Sequence, residues 1–201
     1  MKALILIDVQ NDFMPGGALA VPQGDEIVPL INELQEKFDL VVATQDWHPQ
    51  GHASFVSSHK NAELYEVINL DGIKQVMWPE HCIQGSKGAE FHPKLNLNPV
   101  EAIFRKGTDP KIDSYSGFYD NAHLKTTGLA GYLNEKGVTE LYFAGLAAEY
   151  CVYFSILDAV KEGFKSCLIE DATRALSSED FKKAKRDLKD KGVKLLSSSE
   201  I

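Results

Sequence analysis

No apolar run in the sequence approaches the roughly 20 residues needed to cross a bilayer, so a membrane-spanning class is excluded. The apolar run at the start, Ala3-Leu4-Ile5-Leu6-Ile7, stops at Asp8 without a small-residue cleavage site, and reads as a strand and not as a signal peptide. Cysteine is scarce. The three residues, Cys82, Cys151 and Cys167, are odd in number and form no Cys-x-x-Cys pair, which argues against a disulfide framework. Reduced thiols in a reducing, cytoplasmic setting are expected instead. Positive charge is in deficit, with 21 Lys and Arg against 29 Asp and Glu and a net charge of -8. That balance disfavours a nucleic-acid backbone or an anionic membrane as partner. Internal repeats, low-complexity tracts and flexible linkers are absent as well.

What is present suits one α/β domain over residues 1–201, since 44% hydrophobic content in a chain of this length can bury one full core. Short continuous apolar runs of the kind shown by parallel strands buried on both faces recur at Ala3–Ile7, Leu40–Thr44, Val100–Phe104, Leu141–Ala144, around Leu168–Ile169 and at Val193–Leu196. Helical spacing lies between them. Ile27, Leu30, Ile31, Leu34 and Phe38 form one apolar face, a second helix is expected around Leu124 to Lys136, and Val152, Ile156, Ala159 and Val160 mark a third that Gly163 ends. Ser177 with Asp180 resembles a capping box for a last helix, in which Phe181, Ala184 and Leu188 face inward. The alternation predicts a doubly wound, mainly parallel six-stranded sheet with helices on both faces, a Rossmann-like α/β fold. From about Asp46 to Pro99 the alternation lapses into Pro, Gly, His and Asn punctuation. A stretch that long is expected to be an inserted lid, not slack connection.

Charged and nucleophilic groups gather after the strands, where open α/β sheets bind their ligands. Asp8 follows the first. Asp46-Trp47-His48 follows the second, and residues two apart in an extended segment can face one ion. A third ligand is needed, for which His81, His52, His59, Glu63 and Glu66 are candidates. One carboxylate with two or three imidazoles suits zinc, manganese or iron. Lys106 follows the third strand, where an ammonium between a thiol and a carboxylate would lower the thiol's pKa. Cys151 sits where the strand Leu141–Ala144 turns into a helix. Free N–H groups there favour a thiolate over a thiol and can receive an oxyanion. Asp113-Ser114-Tyr115-Ser116-Gly117-Phe118-Tyr119 is an aromatic and glycine cluster able to wall a flat ligand or to pack a loop.

Six fragments in order carry a family resemblance: Asp8-Val9-Gln10-Asn11-Asp12-Phe13, Asp46-Trp47-His48-Pro49, Trp78-Pro79-Glu80-His81-Cys82, Phe104-Arg105-Lys106-Gly107, Asp113-Ser114-Tyr115-Ser116-Gly117-Phe118, and Gly145-Leu146-Ala147-x-x-Tyr150-Cys151-Val152. The chain resembles, over nearly its whole length, the nicotinamidases (pyrazinamidases) of the isochorismatase-like cysteine hydrolases. The resemblance implies a catalytic triad of Cys151, Asp8 and Lys106, and metal ligands at Asp46, His48 and His81. It also implies a cis peptide between Leu146 and Ala147, with the Ala147 and Cys151 N–H groups as oxyanion donors. Phe13, Trp78, Tyr115 and Tyr150 should surround a pyridine ring. Many relatives carry Thr-Asp where this chain has Ala148-Glu149, so the detail of that loop departs from the pattern. His52 matches only some relatives and stays outside the ligand set.

The implied reaction is deamidation of nicotinamide to nicotinic acid and ammonia through a Cys151 thioester, in recycling of NAD breakdown products. One divalent metal ion, zinc by preference with manganese or iron as alternatives, would assist. Pyrazinamide is a second candidate substrate, and association into a homo-oligomer stays open. Three other readings stand beside this one. An amidase of N-carbamoyl or ureido compounds would keep the triad but should not need Asp46, His48 and His81. An isochorismatase proper, cleaving a vinyl ether, lacks the cysteine nucleophile. A non-catalytic metal- or ligand-binding module on the same fold would not require all three triad residues.

Overall fold

The computed structural model describes all 201 residues. Its main sheet comprises β1 (Lys2–Ile7), β2 (Leu40–Asp46), β5 (Val100–Lys106), β6 (Glu140–Gly145), β7 (Lys165–Thr173) and β8 (Lys194–Leu196). They lie in the order β5-β2-β1-β6-β7-β8, and every pairing is parallel. Counted along the chain within this sheet, the order is 3-2-1-4-5-6, the doubly wound arrangement whose order reverses between the first and fourth strands. Here that switch point falls between β1 and β6. The segments leaving these two strands carry Asp8 and Cys151.

The unbroken apolar run of β1 has a simple cause. Leu4 and Leu6 enter one core, with Ile27, Val28, Ile31 and Leu34 of α1 (Ile27–Leu34). Ala3, Ile5 and Ile7 enter the other, with residues of α2 (Leu129–Glu135), α3 (Tyr153–Lys161) and α4 (Ser178–Asp190). Alternation of side chains across a strand sends neighbours to opposite faces, so a strand covered on both has no polar positions. The edge strand β5 is covered less, and its burial alternates until Lys106, which is enclosed.

Two expectations change. The helix expected around Leu124 to Lys136 begins only at Leu129. Ahead of it the Asp120 carboxylate takes the N–H groups of Ala122, Leu124 and Lys125, which holds the chain in a loop, and Gly128 enters at φ +89°. The stretch from Asp46 to Pro99 also holds a regular element, an antiparallel hairpin of β3 (Val67–Leu70) and β4 (Ile73–Val76). These strands are four residues long and half exposed, so their pattern is too short and too polar to stand out. At the head of α4 the Ser177 side chain accepts the Asp180 N–H.

Candidate active site

The chain bends as soon as β1 ends. Asp8 adopts a left-handed φ of +48°, a conformation that aspartate tolerates better than most residues. Thr44 of β2 fixes the turn: its hydroxyl accepts the Asp8 N–H at 3.2 Å and donates to Asp8 Oδ1 at 2.6 Å. Lys106, the last residue of β5, is wholly buried, and its Nζ lies 2.9 Å from Asp8 Oδ2. An ammonium carries three protons. Nζ is also within reach of Asp46 Oδ1 at 3.0 Å, the Ser114 carbonyl at 2.9 Å and Cys151 Sγ at 3.5 Å, so four acceptors share them.

Cys151 lies in a π-type turn, Ala148–Val152, between β6 and α3. Gly145 makes the entry to that turn possible. Its φ is +124°, and a Cβ there would stand 2.0 Å from the Ile7 carbonyl oxygen. The Leu146–Ala147 peptide that follows is cis. Thr173 Oγ1 donates to the Gly145 carbonyl at 2.6 Å, the Ala148 N–H to Arg174 O at 2.8 Å, and the Ser177 N–H to Glu149 Oε1 at 2.6 Å. Three bonds thus stitch the loop to the end of β7 and the segment that follows it. The Ala147 N–H has no acceptor in the protein, and Ala147 lines the cavity.

Burial pushes the Cys151 thiol well above its ordinary pKa; Lys106 opposes this, while Asp8 and Asp46 add to it. Enclosure thus works against the thiolate that the helix start favours, and the Lys106 ammonium works for it. Burial also raises Asp8 above the usual carboxylate range, against the pull of Lys106. A thiol beside a carboxylate of increased basicity is a pair arranged for proton transfer.

On the other side of Lys106, Asp46 Oδ2 lies 3.0 Å from His48 Nε2 and 3.3 Å from His81 Nε2. Four ligands at zinc-type bond lengths of about 2.0–2.1 Å in a tetrahedron stand roughly 3.3 Å apart, so this spacing suits one ion. Tautomers agree. His48 Nδ1 bonds the Gly107 carbonyl at 3.0 Å and His81 Nδ1 the Pro79 carbonyl at 2.8 Å, which turns both Nε2 lone pairs inward. Gly107, at φ +65°, leaves no room for a side chain, since a Cβ would meet His48 Cε1 at 2.5 Å. Burial works against the Asp46 carboxylate, but His48 and Lys106 hold it well below the carboxylate range, so it is anionic as a ligand must be. Burial likewise opposes charge on His48, and Asp46 outweighs it, so the ring's pKa is raised. The buried Asp46, His48 and His81 cluster is able to coordinate a divalent metal.

The other candidates lie outside the ligand cluster. His59 Nε2 bonds the Ala53 carbonyl, and Glu66 takes the N–H of Glu63. The His52 ring lies tilted against His48 with centroids 4.4 Å apart, its Nε2 buried and unpartnered. Cys82, beside His81, is fully buried, and enclosure raises its thiol pKa well above the ordinary value.

A cavity joins the two groups and is lined by Phe13, Trp78, Tyr115 and Tyr150 together with Asp46, His81, Lys106, Ala147 and Cys151. Trp78 meets Tyr150 edge-on at 4.9 Å and donates from Nε1 to the Tyr115 hydroxyl at 3.2 Å. Flat apolar walls with a few convergent polar groups suit a small planar ligand. Leu19 and Leu176 line the cavity too, and no feature of the sequence singles them out. Asp113 and Ser114 belong to the aromatic and glycine cluster, whose pattern assigns them no individual part. Ser114 offers Lys106 its carbonyl, and Asp113 accepts Gln75 Nε2 at 2.9 Å.

Comparison with known proteins gives a consistent picture. A family model described as the isochorismatase domain matches residues 2–200. The nicotinamidase of Acinetobacter baylyi is 44% identical, over 99% of this chain and 94% of that protein. Among solved structures, an Acinetobacter baumannii nicotinamidase and pyrazinamidase is 46% identical, with a TM-score of 0.97 over 99% of this chain and 97% of the other. The pyrazinamidase of Pyrococcus horikoshii, in complex with zinc, is 40% identical, with a TM-score of 0.81 over 98% of both chains.

Proposed function

The chain belongs to the isochorismatase family, and on that premise we propose that it is a nicotinamidase, an amidohydrolase that converts nicotinamide to nicotinic acid and ammonia in NAD salvage. One observation carries the reading. Lys106 Nζ stands between Asp8, Asp46 and Cys151 Sγ at the floor of an aromatic cavity, so a nucleophile, a base and a cation converge where a planar carboxamide fits.

In the proposed reaction Asp8 Oδ2 takes the Cys151 proton as Sγ forms a bond to the carboxamide carbon. Negative charge moves to the carboxamide oxygen, where the N–H groups of Ala147 and Cys151 receive it. That the Ala147 N–H has no internal acceptor supports this role. Asp8 then passes its proton to the amide nitrogen, the C–N bond breaks, and ammonia leaves behind a Cys151 thioester. Water gives a proton to Asp8 and its oxygen to the carbonyl carbon, the C–S bond breaks to free nicotinic acid, and Asp8 returns the proton to Cys151 Sγ. Lys106 holds the Asp8 and Cys151 side chains together and opposes negative charge throughout. Phe13, Trp78, Tyr115 and Tyr150 enclose the ring.

Asp46, His48 and His81 would hold the metal ion, which we take to be zinc, with manganese and iron as alternatives, in line with the zinc complex of the Pyrococcus horikoshii relative. When bound, a divalent ion supplies Lewis-acid affinity for a pyridine nitrogen and so orients the ring. Pyrazinamide, which keeps that ring nitrogen, is the second substrate we propose. All three cysteines are unpaired and buried, which supports a reducing, cytoplasmic setting. No helix is long and apolar enough to cross a membrane.

The reading is tested by coupled assay of ammonia from nicotinamide, pyrazinamide and an N-carbamoyl amine. Turnover of the two pyridine-type amides is expected. Turnover of the carbamoyl compound alone would replace the substrate assignment.

A further inference from the structure

β2 outruns its neighbour. Its pairing with β1 ends at Leu6 opposite Ala43, whereas its pairing with β5 continues to Asp46 opposite Lys106. The backbone of Asp46 therefore reaches toward the β1 side beyond the last β1 partner. The fully buried side chain of Gln10 fills the gap. Its Oε1 accepts the Asp46 N–H at 2.8 Å, while Nε2 donates to the Asp46 carbonyl at 2.8 Å and to the Ala89 carbonyl at 2.9 Å. A primary amide has one acceptor and two donors facing the same way, so it can take both backbone groups of one residue as a neighbouring strand would.

The residue gripped in this way serves two sites. Asp46 Oδ2 faces His48 and His81, and Oδ1 accepts a hydrogen bond from Lys106 Nζ. A small turn of the Asp46 backbone would spoil both contacts at once, and nothing else bonds its N–H or carbonyl on that side. We propose that Gln10 is a positioning residue for the metal site: its side-chain amide acts as an extra strand rung that aims the Asp46 carboxylate, and so sets the affinity for a divalent ion. The inference rests on the reading of Asp46, His48 and His81 as metal ligands.

Gln45 provides an internal control. It is also a buried glutamine whose Nε2 donates to the Ala89 carbonyl at 2.9 Å, but its Oε1 accepts Arg105 Nε and its side chain does not touch Asp46. Loss of packing or of the Ala89 bond alone would affect both glutamines alike.

The test is a zinc titration against a chromophoric chelator on the metal-stripped full chain, with cobalt(II) absorption as the second readout. The parent, Gln10→Met, Gln10→Glu and Gln45→Met are compared, with circular dichroism as the check on folding. Gln10→Met should weaken zinc binding about tenfold or more, the range seen when outer-shell partners of metal ligands are removed, and should alter the cobalt ligand-field bands. Gln10→Glu keeps an oxygen for the Asp46 N–H but loses both donors, and should weaken binding as well; Gln45→Met should bind as the parent does. Folded Gln10 variants with parental zinc affinity would overturn the proposal. So would an equal loss in Gln45→Met, or failure of both Gln10 variants to fold, because the amide would then serve the fold in general. A parent chain that binds no zinc would instead remove the metal reading on which the proposal rests.

Discussion

Lys106 Nζ lies 2.9 Å from Asp8 Oδ2 and 3.5 Å from Cys151 Sγ, so one buried ammonium holds the base and the nucleophile together. Asp8→Asn preserves shape but not basicity. It should lower kcat by about 10²–10⁴-fold, the usual weight of a general base, with an unchanged circular dichroism spectrum. Near-parental ammonia release from that variant would remove Asp8 from the mechanism.

The pH profile follows from the same pair. The reactive form has Asp8 without its proton and Cys151 with it. Burial raises Asp8, so kcat/KM should fall as pH drops through a value above the usual carboxylate range. Burial raises Cys151 as well, so the alkaline limb should lie above that of a free thiol. Lys106 has the opposite bearing on stability. Burial disfavours its charge, but Asp46 and Asp8 raise its pKa well above the ordinary lysine value. Its contribution is therefore present at neutral pH and is lost only as pH rises through that raised value. An acid limb at an ordinary carboxylate value would contradict the burial argument.

Gly145→Ala should be among the most damaging substitutions in the chain. Its Cβ would stand 2.0 Å from the Ile7 carbonyl oxygen at a φ of +124°, so β1 and the nucleophile loop would have to part. A loss of about 4 kcal/mol or more is expected, at the upper end for single substitutions. Denaturant unfolding measures it, and a cost near 1 kcal/mol would show that the loop can shift.

Much of this organisation is legible in the amino-acid sequence. Asp8, Asp46, Lys106 and Cys151 stand out because each follows or ends a continuous apolar run, and such runs are conspicuous when a strand is covered on both faces. Gln10 and Thr44, which aim two of these groups, carry no comparable signal: one lies in a loop and the other passes as an ordinary strand threonine. Leu19 and Leu176 reach the cavity only because distant loops fold over it. The burial that raises the Cys151 thiol pKa is hidden for a related reason. A helix start is a local feature of sequence, whereas the depth of enclosure depends on Lys106, Asp8 and the lid arriving from elsewhere. The hairpin of β3 and β4 and the late start of α2 are hidden because short exposed strands and a carboxylate-capped loop leave weak periodicity.

Removal of metal should raise KM more than it lowers kcat if the ion orients the ring, and added zinc should reverse the effect. Affinity for zinc should fall as pH falls, because the neighbouring Asp46 raises the pKa of His48 and a proton then competes for Nε2. Steady-state kinetics of the stripped and zinc-reloaded chain checks the first, and zinc titration across pH the second. A pH-independent affinity would place the ion elsewhere.

The most direct test is ammonia release from nicotinamide by the metal-replete chain, with Cys151→Ala assayed beside it. The account predicts release by the parent and none above background by the variant, whose circular dichroism should be unchanged. Equal release from both would contradict the assignment of Cys151 as nucleophile and, with it, the mechanism built around Lys106.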